Sequence, residues 1–322
     1  MGEFTPEFRP PREGSAPTPE SNATPGQFQF DDTDAPAPTP AVRGTSTVSS
    51  GIDTSAKATA LLVLVPKALV TVVILLLLNP VWAIAWLAAG ALALTRRGET
   101  LLAKVLQIRP PTAKENGVLR TAWANVVSRS GLDPDNYSLW VQDSSALNAF
   151  AAGGGIVTVT RAALTQLKPH QLEAVLAHEL GHHVRGHARV SFLLYFYGIP
   201  ADFLMRFVIH LTLAIVMRTG LFGILAVMTA FSMLMLFPPT MLLMLSMPLS
   251  RYFSRQAEFS ADQVAAQLGY GPALHETLQQ WLEQGDDDDA SSSFLDRALA
   301  THPPLSQRII ALESYRRGEI DR

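Results

Sequence analysis

The chain has 322 residues, of which 48% are hydrophobic and 16% charged, a balance too apolar for a purely soluble domain and one that points to an integral membrane protein. A formal net charge of -3 offers no basic face and argues against nucleic-acid binding. The absence of cysteine excludes disulfides, thiol nucleophiles and thiolate metal sites, and leaves the compartment open.

Residues 1–57 read as a disordered tail, since nine are Pro, eight are Asp or Glu and few are aromatic, too little apolar surface to fold. Met1-Gly2 does not make a myristoylation signal, because Pro6 stands where Ser or Thr is needed. Residues 58–95 form an apolar stretch of 38, broken by Pro66-Lys67 and Asn79-Pro80 and followed by Arg96-Arg97. A hairpin turning at Asn79-Pro80 leaves arms of 21 and 16 residues, near the roughly 17–25 that a membrane span needs. A single kinked span is the rival reading.

Residues 96–189 open a mainly helical catalytic domain with a small edge strand. Its centre is His178-Glu179-Leu180-Gly181-His182, an HExxH motif in a helix marked by Gln171, Leu172, Val175, Leu176 and Leu180 and begun by Pro169. Four residues advance a helix by about 400°, so His178 and His182 share a face and can share a metal. Glu179 can then serve as the base that activates water in metal-assisted hydrolysis. A metzincin would carry a third histidine at position 188, where Ala188 stands. His187 falls on the opposite side of an extended helix, which predicts that it and His183 face the surface or the lipid headgroups.

Residues 190–249 are expected to hold a second pair of membrane helices. Leu221 to Leu249 has no charged residue, and Val190 to Met217 is its partner, with Asp202, Arg206 and His210 forming one polar stripe. That stripe is either a salt-bridged packing feature or part of a substrate access path.

Residues 250–322 complete the catalytic domain. Glu258, 76 residues beyond His182, lies four before Asp262. One acid can bind metal while the other orients a ligand imidazole, or both form a solvated acidic face beside Arg255. Asp286 to Asp289 read as a solvated loop without the EF-hand pattern. If His182 and Glu258 hold one ion, the chain between them crosses the membrane an even number of times. Arg96, Arg97, Lys104, Arg185, Arg189, Arg251 and Arg255 border that side, against Arg218 opposite, which predicts a cytoplasmic catalytic domain.

Four blocks in order resemble the HtpX and CAAX prenyl protease group of membrane zinc metallopeptidases. They are Asn148-Ala149-Phe150-Ala151 with Gly153-Gly154-Gly155 and the strand-like Ile156 to Thr160; the HELGH motif; Ser254 to Asp262; and Thr301-His302-Pro303-Pro304 with Arg308-Ile309. The likeness runs from about Thr95 to Leu312. It implies a zincin-like helical domain with a β edge on about four transmembrane helices. It further implies Zn2+ held by His178, His182 and Glu258, with Glu179 as general base and Asp262 orienting a ligand imidazole. His302 would approach the metal, and Asn148, Ala149, Phe150 and Gly154 would line the substrate cleft, where a peptide adds as a strand. Arg308 reads more simply as a helix-surface charge.

The expected function is a multi-pass endopeptidase of the cell inner or plasma membrane. It would cleave membrane or misfolded proteins at the cytoplasmic face, in protein quality control. A catalytically silent scaffold and a protease of prenylated peptides are the alternatives; a transporter or sensor built on the Asp202 stripe is a more distant one. Oligomeric state is not readable from the sequence.

Overall fold

The computed structural model describes residues 54–235, 238–283 and 304–317; the acidic tail, Asp286 to Asp289 and His302 lie outside them. Helices α1 (Thr54–Leu78) and α2 (Pro80–Ala93) divide the first apolar stretch at Asn79. Pro80 takes the first helical position, where a missing N–H is no loss, and the Asn79 side chain accepts from the Val81 amide at 2.9 Å. Then follow α3 (Arg96–Val105), β1 (Ile108–Arg109), α4 (Ala113–Ser130), β2 (Ser138–Gln142), β3 (Ala149–Ala152), β4 (Ile156–Thr160), α5 (Arg161–Gln166) and α6 (Pro169–Val184). The C-terminal half is α7 (His187–Thr219), α8 (Leu221–Met235), α9 (Pro238–Gln267), α10 (Gly271–Glu283) and α11 (Leu305–Arg317). The fold is mainly helical with one small sheet.

The sheet has the order β1-β2-β4-β3. The fully buried β4 pairs in parallel with β2 and antiparallel with β3, which leaves β3 as an outer edge beside α6. Thr112 and Glu115 cap α4 reciprocally, and Arg109 reaches both Glu115 and Asp143, tying β1 to α4 and to the end of β2. The core lies between α4, β4 and α6. Leu119, Trp123 and Val126 meet Val157, Val159, Leu172 and Leu176, with Leu274 and Leu278 of α10 closing the far side. Leu176 is 0% exposed, so its truncation to Ala removes about 2–5 kcal/mol of stability.

Two glycines set the geometry of the helix that carries the motif. Gly181 faces Ala261 of α9 so closely that a Cβ there would lie 2.8 Å from the Ala261 Cα. Gly186, at φ 74°, separates α6 from α7 in a conformation costly for any side chain.

Both N-terminal helices touch one residue of α7. The Thr71 hydroxyl donates to the Tyr197 carbonyl at 2.7 Å, and the Tyr197 hydroxyl donates to the Leu87 carbonyl at 3.0 Å. Lys67 of α1 meets Asp202 at 3.0 Å, so the acid of the polar stripe pairs with a different helix and not with Arg206. Among the described residues one segment, Ala60–Leu78 of 19 residues, is long and apolar enough to cross a membrane. Against the expected four, α2 has 14 residues, and α8 and α9 meet near Pro238 where a single kinked span was expected. Large apolar side chains nonetheless face outward along these helices, among them Leu77, Trp82, Phe203 and Phe222.

Candidate metal centre and active-site cleft

Gln171 draws the start of α6 tight by accepting from the Lys168 amide at 3.1 Å, and the helix buries nearly everything from Leu172 to Gly181. His178, Glu179 and His182 are therefore presented from a fixed rod. The Nε2 atoms of His178 and His182 stand 3.2 Å apart. Glu258, on α9, brings Oε2 to 3.4 Å from the former and Oε1 to 3.7 Å from the latter, and one donor atom from each of the three residues lies within 4.8 Å of the others. Donors bound to a tetrahedral zinc at its usual bond lengths stand about 3.4 Å from one another, so the three fit a common ion. Two imidazoles and a carboxylate are also a donor set that zinc accepts.

Asp262 completes the arrangement. Its carboxylate lies 2.8 Å from the Nδ1 of His178, so an N–H there donates to Asp262 and Nε2 is left free for the metal. Arg308, on α11, is the residue that sequence reasoning misjudged. Far from being a surface charge it is 7% exposed, and it grips Asp262 through Nε at 2.8 Å and Nη2 at 2.7 Å. Its Nη1 also lies 3.2 Å from Glu258. The available signal was its place on the face shared by Leu305 and Leu312.

Electrostatics follow from this packing. Burial and the Arg308 charge oppose protonation of His178, yet its bonds to Asp262 and Glu258 prevail and hold it up to about 10. Burial pushes His182 down to about 3, as expected of the second of two touching imidazoles. Burial resists ionisation of Asp262, but the Arg308 charge keeps it below the ordinary range. Burial pushes Glu179 up to about 7, although the Ala151 amide donates to it. Three carboxyl groups, Glu179, Glu258 and Asp262, are thus buried around one Arg308, a surplus of acidic groups that suits a divalent cation once His178 gives up its proton.

The Ala151 contact brings the outer edge of β3 against Glu179. Asn148 is exposed at the start of that strand, where its side chain accepts from the Ala149 amide at 2.9 Å. Phe150 turns instead toward a small cluster with Leu102, Ile108 and Ile156. Gly154 lies in the β3–β4 turn, where a Cβ would come within 2.7 Å of the Leu94 carbonyl oxygen. His302 is outside the described residues.

The two histidines expected at the surface are inside. His187 is 4% exposed, with its ring centroid 6.1 Å from that of His182 and 5.7 Å from that of Phe253. Extending α6 as a straight helix put it on the wrong side, because the chain changes direction at Gly186. His183 is partly buried, and its Nε2 lies 2.9 Å from the Ile156 carbonyl oxygen.

The sequence profile of peptidase family M48 matches residues 113–316, a range that contains every member of this cluster. Protease HtpX of Aeromonas hydrophila subsp. hydrophila is 29% identical over 195 residues, covering 53% of this chain and 64% of that protein. Protease HtpX of Pseudomonas syringae pv. tomato is 32% identical over 192 residues, covering 53% and 62%. The chain thus spans a little under two thirds of these relatives. Among solved structures, Ste24p of S. mikatae aligns with 82% of this chain and 67% of its own at a TM-score of 0.46 and 17% identity. On the extent of the profile match, which takes in the helix of the HELGH motif and the helices bearing Glu258 and Arg308, the chain belongs to peptidase family M48.

Proposed function

We propose that the chain is a membrane-anchored zinc endopeptidase, in which His178, His182 and Glu258 hold the metal and Glu179 is the general base. The observation that carries this reading is the convergence of one donor atom from each of those three residues within 4.8 Å of one another beside a buried carboxylate. Bound there, zinc supplies a Lewis acid that polarises a peptide carbonyl and acidifies water. Glu179 takes the proton from the attacking water and returns it to the leaving amide nitrogen. Burial holds its carboxyl above the usual carboxylate range in the metal-free site, the direction that favours taking up a proton. Asp262 keeps His178 in the tautomer that offers Nε2, and Arg308 holds Asp262 in place.

The exposed edge of β3 supports an extended substrate, since a peptide can add there as a further strand with its backbone beside Glu179. An anchor of four membrane helices is consistent with the outward apolar side chains of α1, α2, α7 and α8 and places the cleft at the membrane surface. The basic residues flanking those helices favour the cytoplasmic face. Suitable substrates are then membrane or misfolded proteins with extended segments near the bilayer, and quality control is the corresponding role. His302 of the Thr-His-Pro-Pro segment remains in this proposal as a donor near the developing oxyanion.

The test is cleavage of a loosely folded model protein by the zinc-loaded chain in detergent, beside Glu179→Ala and a chelated sample. Activity confined to the zinc-loaded wild type is expected. Equal cleavage by Glu179→Ala would remove the mechanism, and zinc binding without any cleavage would favour the scaffold reading.

A further inference from the structure

His183 follows a metal ligand directly but turns away from the metal. Its Nε2 meets the Ile156 carbonyl oxygen at 2.9 Å, crossing from α6 to the first residue of β4. Ile156 pairs with Ala152 of the edge strand and with Ser138 of β2, so it closes the turn end of the β3–β4 hairpin. The turn above it is Gly153-Gly154-Gly155, with Gly153 at φ 56°, and three glycines define little of their own conformation. Tyr137 meets the His183 ring edge-on at 5.3 Å and the Trp123 ring at 5.3 Å, which ties the imidazole to the core of α4. The catalytic helix is thus anchored at the turn end of a hairpin whose outer strand faces Glu179.

We propose that His183 is a positioning residue that, by donating to the Ile156 carbonyl, fixes the separation between β3 and the catalytic helix and so sets how tightly an extended peptide adds to that edge. This rests on the peptidase reading above. The bond lies away from the metal donors, so its loss loosens peptide binding and leaves the metal in place. Loss of one buried hydrogen bond corresponds to a rise in KM of roughly tenfold, with kcat within about twofold of wild type.

The experiment compares wild type, His183→Leu and His183→Gln as full chains in detergent with zinc. Leucine fills similar space without a donor, whereas the glutamine amide can still donate to the carbonyl. Three readouts are taken: KM and kcat on an extended fluorogenic peptide, zinc content, and hydrogen exchange of the amides of residues 149–160. The expected result is higher KM and faster hairpin exchange in His183→Leu at full zinc content, with both restored toward wild type in His183→Gln. Unchanged KM and exchange in His183→Leu, equal defects in the two variants, or zinc loss accompanying the KM change would each overturn the proposal. If wild type fails to cleave, the peptidase reading falls separately. The exchange comparison still decides whether His183 holds the hairpin.

Discussion

Replacing Arg308 by Met keeps much of the side-chain volume and removes the guanidinium that faces Asp262 and Glu258 at 2.7–3.2 Å. Both carboxylates are buried, at 0% and 6% exposure, so loss of the guanidinium takes away charge compensation and hydrogen bonds that water cannot replace. Removing one partner of a buried ion pair costs about 3–5 kcal/mol. At about 2–4 °C per kcal/mol for a domain of this size, Tm of the metal-free protein is expected to fall by roughly 6–20 °C. Zinc offers the same carboxylates a positive charge, so the gap between variant and wild type should narrow when zinc is present. Adding Asp262→Leu to Arg308→Met removes the stranded carboxylate and should recover much of the lost stability while metal affinity stays low, since His178 has lost its orienting partner. The assay is thermal unfolding in detergent, with chelator and with zinc. An Arg308→Met protein within about 2 °C of wild type in chelator would refute the reasoning, as would a double variant less stable than the single one.

Three further outcomes follow from the same geometry. Gly181→Ala would put a Cβ 2.8 Å from the Ala261 Cα and 2.9 Å from its carbonyl oxygen, forcing apart the helices that carry the histidines and Glu258. A stability loss of about 1–3 kcal/mol and weaker zinc binding are expected by thermal unfolding and chelator competition; unaltered affinity would contradict the close packing. In the metal-free protein His178 is held up to about 10, so at any lower pH zinc must expel its proton. Affinity should therefore rise about tenfold per pH unit from neutrality and level off above that value, and a flat titration would argue against the Asp262-held imidazolium. Lys67→Met strips Asp202 of its partner in the helix bundle and should lower Tm, with recovery in Lys67→Met/Asp202→Leu. Additive losses in that pair would mean the two charges are not coupled.

The pairing of His178 with His182 was legible because helical periodicity alone puts them on one face, and that geometry survives whatever surrounds the helix. Glu258 and Asp262 required more. Their spacing permits either a buried pair or a solvated face, and only the approach of α9 to α6 through Gly181 decides between them. The small sheet was legible in part, as a strand-like Ile156 to Thr160 and, through the resemblance, as a loop and edge strand within Asn148 to Ile156; β3 is that edge and β4 the interior strand, which antiparallel pairing across the glycine turn determines. A period of two says which residues alternate and nothing about which strand lies outermost.

Errors clustered where the chain changes direction or where a distant element supplies a charge. His187 was extrapolated along a straight helix, but Gly186 at φ 74° starts a new axis and returns the imidazole to the neighbourhood of His182. Arg308 was judged by its own charge, although buried arginines are tolerated when carboxylates await them, and Asp262 lies on α9, 46 residues earlier. Lys67 went unassigned for the same reason, since its partner is 135 residues away on α7. In each case local pattern gave the side chain's type and left its environment to long-range packing. A polar residue on an otherwise apolar helical face, such as Arg308 between Leu305 and Leu312, is therefore better read as a request for a buried partner than as an exception on the surface. For this site the partner is Asp262, and the two bonds it accepts from Arg308 are what fasten α11 to the helix that also carries Glu258.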